Sequence, residues 1–131
     1  GFPTETEQAH LSTLALIEQA ELSHLHVFSY SDREGTPATK MPKTDPSDIR
    51  RRASALREAG KKQYEELLVN HLNKPDEILL EKSNQGYLRN FIRVNLSHNE
   101  LLPSGHLHKV KITQVNSDGN DFPSVIAELA E

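Results

Sequence analysis

The sequence predicts an α/β unit followed by a small antiparallel β-barrel, with a long helix between the two. Three observations lead to this class. A helical pattern over residues 5–21 runs directly into a strand-like stretch at residues 24–30. A second helical pattern begins at Asp45 and carries only a narrow apolar stripe. Beyond Asp76 the chain turns to short alternating segments punctuated by Asn, Gly, Pro and Ser. With 131 residues, 35% hydrophobic, 5% aromatic, no Trp and a mean hydropathy of -0.63, apolar content is thin for one sphere of this length and suits two small units.

In the first helix Thr4 and Glu7 have the capping-box spacing, and Leu11, Leu14, Ile17 and Leu22 recur near helical spacing. The following stretch points Leu25 and Val27 one way and His26, Phe28 and Tyr30 the other, so the strand carries bulk on both faces and is expected to be buried on both. A parallel strand of this kind needs neighbours, which are expected before Gly1. The opening Gly1-Phe2-Pro3, with no initiator Met, likewise reads as cut from a longer protein. Gly35, Pro37 and Pro42 then make residues 31–44 an irregular loop. Asp45 as N-cap and Pro46 at the first helical position start the long helix, whose stripe is Ile49, Ala53, Leu56, Gly60, Tyr64, Leu67 and His71, and Pro75 is expected to stop it. At roughly 40 Å this helix is longer than either small unit and reads as a bridge between them. Strands are expected at residues 77–82, 87–96, 106–115 and 124–129, with turns at Asn84-Gln85-Gly86, Pro103-Ser104-Gly105 and Ser117-Asp118-Gly119. Short antiparallel strands of this number close their own edges as a barrel.

Net charge is -4, unevenly spread. Between Lys40 and Lys62 eight cations stand against three anions, whereas from Asp76 onward five cations face eight anions, so a polyanion has only one face of the second unit available to it. The chain has no cysteine, which removes disulfides, thiolate nucleophiles and cysteine-held clusters from its own repertoire. No apolar run reaches membrane-spanning length and no export signal is visible.

Of the seven His, the pairs His24/His26 and His106/His108 have the spacing that puts two rings on one strand face, but neither has a carboxylate or third His at a matching spacing; they read as strand histidines, not metal ligands. There is no nucleophile elbow and no phosphate-cradling glycine loop, so no catalytic residue is assigned. The segment Gly86-Tyr87-Leu88-Arg89-Asn90-Phe91-Ile92-Arg93 interleaves rings, an amide and guanidiniums. Two readings stand: rings that stack on unpaired bases beside phosphate-binding arginines, or Tyr87 and Phe91 as core with the arginines solvated. The basic stretch of the long helix is open in the same way, as a polyanion contact or as a solvated face.

Three stretches, residues 1–7 (GFPTETE), residues 24–38 (HLHVFSYSDREGTPA) and the barrel with Gly86-Tyr87 and Asn90-Phe91-Ile92-Arg93-Val94, together resemble the radical S-adenosylmethionine tRNA methylthiotransferases. Residues 24–38 are most similar to the branch that acts on threonylcarbamoyladenosine beside the anticodon. The resemblance spans essentially the whole chain. It implies that residues 1–44 are the C-terminal end of a partial TIM-type radical SAM barrel, 45–73 a linking helix, and 74–131 a TRAM-like RNA-binding β-barrel. It implies S-adenosylmethionine and two 4Fe-4S clusters in the parent protein, with the cluster cysteines upstream, so this piece is expected to be inactive alone; a CxxxCxxC triplet before Gly1 separates this reading from a freestanding nucleic-acid-binding or protein-interaction module. By the same resemblance Phe2, Val27, Phe28 and Ser29 lie against the cofactor and Arg33 reaches toward the substrate, unless Arg33 and Thr36 only fix their loop. Tyr87, Arg89, Asn90, Phe91, Arg93, Lys109 and Lys111 contact RNA. The implied partners are the tRNA anticodon stem-loop and the rest of the parent enzyme, in the cytoplasm and with no membrane. Two departures stand out: Thr4 occupies a position where many members have Gly, and the second barrel is net acidic.

Overall fold

The computed structural model describes residues 1–98, 102–116 and 123–130; the turn expected at Ser117-Asp118-Gly119 lies outside them. The chain divides into two compact units, Gly1–Tyr64 and Glu65–Glu131.

In the first unit, α1 (Glu7–Gln19) starts two residues later than expected. Its N-cap is Thr6, whose Oγ1 accepts from the Ala9 amide at 3.1 Å. Thr4 cannot fill that role because it sits at φ 75°, in a turn closed by the Glu5 amide donating to the Phe2 carbonyl at 3.0 Å. A glycine takes this left-handed conformation without a Cβ penalty. Ile17 is buried as the pattern requires, whereas Leu11 and Leu22 are exposed and His10 takes an unexpected buried place.

Residues 24–30 form no strand. A strand is satisfied by a ladder, and no described segment of this unit offers one. The second helix, α2 (Pro46–His71), contacts the stretch instead. Gly60 comes so close to Leu25 that a Cβ there would lie 2.7 Å from its Cδ1, the His24 ring meets Tyr64 edge-on at 4.9 Å, and Arg57 Nη2 donates to the Val27 carbonyl at 3.2 Å. The expected start of α2 is present: Asp45 Oδ1 accepts from the Ser47 amide at 2.7 Å. The helix stops before Pro75 as expected, ending at His71; Asn73 then turns the chain at φ 60° and Pro75 opens a strand.

The anchor of the first unit is ionic. Arg52 is buried, and its Nη1 donates to the Glu5 carbonyl at 2.9 Å and to Glu5 Oε2 at 3.1 Å, while its Nη2 meets Glu7 Oε2 at 3.1 Å. Arg51 forks onto both Glu7 oxygens at 3.0 and 2.7 Å. Thus Arg51, Arg52 and Arg57 of the basic stretch have partners inside their own unit. Hydrogen bonds from Arg51 first, then those from Arg52, hold the Glu7 carboxyl down from 4.5 to about 2. A depressed carboxylate contributes stability above its unfolded pKa, and that contribution is lost as pH falls through the folded value. The Glu7 contribution is therefore expected intact above pH 4.5 and gone near pH 2, with an NMR carboxyl titration centred near the lower figure. A midpoint at 4.5 in the folded chain, or an identical acid profile in Glu7→Gln, would show that the fork is not formed in solution.

The second unit is a closed five-stranded barrel: β1 (Pro75–Lys82), β2 (Gln85–Tyr87), β3 (Arg93–Leu96), β4 (Leu107–Asn116) and β5 (Ser124–Leu129), joined in the order β1-β2-β3-β5-β4. It is not purely antiparallel, because β3 and β5 pair in parallel to complete the closure. Ile78 and Leu80, Val94 and Leu96, Val110 and Ile112, and Val125 and Ala127 alternate inward from four strands and are buried, and Leu68 on the last turns of α2 is buried as well. The single strand expected over residues 87–96 is in fact two strands and a tight turn. The Phe91 amide donates to the Leu88 carbonyl and the Leu88 amide to the Ile92 carbonyl, each at 3.0 Å, and Phe91 adopts φ 64°.

Candidate nucleic-acid interface

The register of the barrel assembles a surface that no single strand contains. On β1 the parity that sends Ile78 and Leu80 inward leaves Glu77, Leu79 and Glu81 facing out. Leu79 stands opposite Leu107 of β4 on one side and Tyr87 of β2 on the other, and Tyr87 stands opposite Arg93 of β3. This cross-strand row floors an open groove of about 740 Å³, to which the 88–92 turn adds Leu88, Arg89 and Phe91 and β1 adds Glu77 and Glu81.

Phe91 is 75% exposed, so the reading of this ring as core is overturned: the buried positions of this stretch are Leu88, Ile92 and Val94, and Phe91 shares the opposite parity with the exposed Arg89 and Arg93. Tyr87 is half-buried with its ring in the groove. Arg89 Nη2 meets Glu77 Oε2 at 2.7 Å, which keeps the guanidinium beside the groove. Asn90 shapes the turn. Its Nδ2 donates to His71 Nε2 at 3.0 Å, an acceptor because His71 Nδ1–H donates to the Leu67 carbonyl at 2.7 Å, and its Oδ1 accepts from the Ile92 amide at 3.4 Å. Lys109 and Lys111 face outward on β4, opposite Glu77 and Pro75. Tyr87, Arg89, Phe91 and Arg93 are therefore gathered at one place, with Lys109 and Lys111 farther along the same outer face. Sequence reading missed Leu79, Leu107, Glu77, Glu81 and His71; the alternation along β1 and β4 was the available signal for the first four.

The candidates in the first unit are less gathered. Phe2 meets Tyr30 edge-on at 5.4 Å, Phe28 is 86% exposed, Ser29 is exposed and the Val27 carbonyl is occupied by Arg57. The Arg33 carbonyl accepts from the Thr36 amide at 3.2 Å and from its hydroxyl at 2.8 Å, so the backbone of this residue closes its own loop. The chain has no thiolate for an iron–sulfur cluster, so cluster ligation does not fit these residues. Among the described residues no group of three or more His, Asp or Glu side chains is placed to hold a metal, and no helix is long and apolar enough to cross a membrane.

No protein-family model matches the chain. Over 116 residues it is 42% identical to the threonylcarbamoyladenosine tRNA methylthiotransferase MtaB of Rickettsia prowazekii, a match covering 88% of this chain and 27% of that protein. It is 32% identical over 120 residues to a probable threonylcarbamoyladenosine tRNA methylthiotransferase of Methanocaldococcus jannaschii, covering 91% of this chain and 27% of the relative. It is 34% identical over 131 residues to a tRNA-2-methylthio-N(6)-dimethylallyladenosine synthase of Bacillus cytotoxicus, covering 89% and 24%. The chain thus spans about a quarter of the length of these curated relatives. By these matches the chain is similar to a segment of tRNA methylthiotransferases, the threonylcarbamoyladenosine branch included.

Proposed function

We propose that this chain is the C-terminal, RNA-holding part of a radical SAM methylthiotransferase that modifies an adenosine beside the tRNA anticodon in the cytoplasm. In this reading residues 1–44 end the catalytic barrel, 45–73 link, and 74–131 are the TRAM-like RNA-binding barrel. The observation that carries it is one face of a closed five-stranded barrel: a groove with the exposed Phe91 ring, the half-buried Tyr87 and a held guanidinium, and outward lysines farther along. S-adenosylmethionine and two 4Fe-4S clusters, when bound to the whole enzyme, supply the radical and the sulfur-transfer chemistry. What the present residues do is hold. Phe91 and Tyr87 offer flat faces to unpaired bases, Arg89 stands beside them, and Arg93, Lys109 and Lys111 neutralise phosphates. Asn90, tied to His71, keeps the turn that presents Phe91. In the first unit Phe2, Val27, Phe28 and Ser29 face the cofactor side and Arg33 the substrate side, in partnership with the rest of the parent enzyme.

Each phosphate contact releases counterions, so affinity for an anticodon stem-loop is expected to fall linearly with log salt concentration. Arg93→Ala, Lys109→Ala and Lys111→Ala should each lower that slope by roughly 0.7 to 0.9. Titrations at four salt concentrations decide it. Slopes unchanged in all three folded variants would place the RNA contact elsewhere.

A further inference from the structure

The groove contains one charged group that phosphate binding leaves without a task. Glu77 is neutralised by Arg89 at 2.7 Å. Glu81 lies on the same outward parity of β1, next to Leu79 and in the same groove, and has neither ion pair nor hydrogen bond among the described residues. A bare carboxylate beside a polyanion is repulsive unless it meets donors. Its two oxygens accept two parallel N–H groups, the pattern that makes carboxylate recognition bidentate. Among the four standard bases only guanine presents two adjacent N–H donors on its Watson–Crick edge, at N1 and N2. Adenine presents a donor next to an acceptor.

The rest of the groove suits such a base. Leu79 and Leu107 give an apolar floor, and Tyr87 and Phe91 give ring faces at its side. The volume, about 740 Å³, is in the range of ligand clefts and leaves room for a base together with its sugar. We propose that this groove seats an unpaired guanine of the bound RNA, its face against Phe91 and Tyr87 and its Watson–Crick edge read by Glu81. The assignment rests on the proposal that the barrel binds RNA, and adds to it which base is selected and by which side chain.

The test uses the 131-residue chain and labelled single-stranded pentanucleotides, UUGUU, UUAUU and UUIUU, where inosine lacks the N2 amine. Guanine should bind about tenfold more tightly than adenine, with inosine between them. Glu81→Gln should erase or reverse that preference, because a carboxamide pairs an acceptor with a donor and so matches adenine. Glu81→Ala should erase it without favouring either purine. Arg93→Ala should instead weaken all three equally and lower the salt slope. Glu81 is exposed, and thermal melts check that each variant is folded. Salt-dependent binding with no guanine preference, or a preference that survives Glu81→Gln, overturns this inference and leaves the RNA reading standing. Absence of binding to both the pentamers and the anticodon stem-loop overturns the RNA reading, and this inference with it.

Discussion

Gly86→Ala is expected to unfold the barrel or to leave it several degrees less stable, although the change adds one methyl group. Gly86 lies in β2, where it pairs with Leu80 of β1 just before a register shift. A Cβ at this position would stand 2.0 Å from the Leu79 carbonyl oxygen and 2.9 Å from the Leu80 Cα. Both are backbone atoms, so no side chain can swing away to make room. The strands must part, and the hydrogen bonds that close the barrel on this edge go with them. Overpacking in a tight interior costs about 1 to 3 kcal/mol and occasionally more, and a backbone clash belongs at the upper end of that range. A loss of about 3 kcal/mol is a large share of the few kcal/mol that hold so small a barrel. Thermal melts followed by circular dichroism give the answer. A Gly86→Ala variant as stable as the parent would mean that β1 and β2 are not this close in solution, and the groove floor of Leu79 and Tyr87 would then need redrawing.

Phe91→Ala separates binding from folding. A ring 75% exposed in a turn stabilises the fold little, so the melting temperature should stay within a few degrees of the parent. If the ring stacks on a base, its removal should cost about 1 to 3 kcal/mol of RNA affinity, a loss of roughly five- to 150-fold. The opposite pattern, a stability loss of about 3 to 5 kcal/mol, is what a buried Phe would give. Affinity unchanged in a folded Phe91→Ala protein removes this ring from the interface.

Much of the barrel was legible from alternation alone. Residues of one parity in β1 and β4 face the core and those of the other parity face water, because a strand has a period of two and the inner face must stay dry. The start of α2 was equally legible, since Asp45 and Pro46 act through their own backbone neighbours. Where local chemistry offered two solutions, the sequence could not choose. The capping-box spacing pointed to Thr4, and the left-handed turn at that residue leaves the cap of α1 to Thr6. Residues 24–30 have every strand preference, but a strand exists only in a ladder, and none of the described residues of that unit provides one. The groove was out of reach for the same reason. Its residues come from β1, β2, β4 and the 88–92 turn, and which of them meet is set by register and barrel closure. Residue types, their parity and the helix start were thus written in the sequence, because they depend on neighbours in the chain. Which rings and charges share one surface was decided only by tertiary structure, because the hydrogen-bonded closure that brings β1 against both β2 and β4 joins residues far apart in sequence.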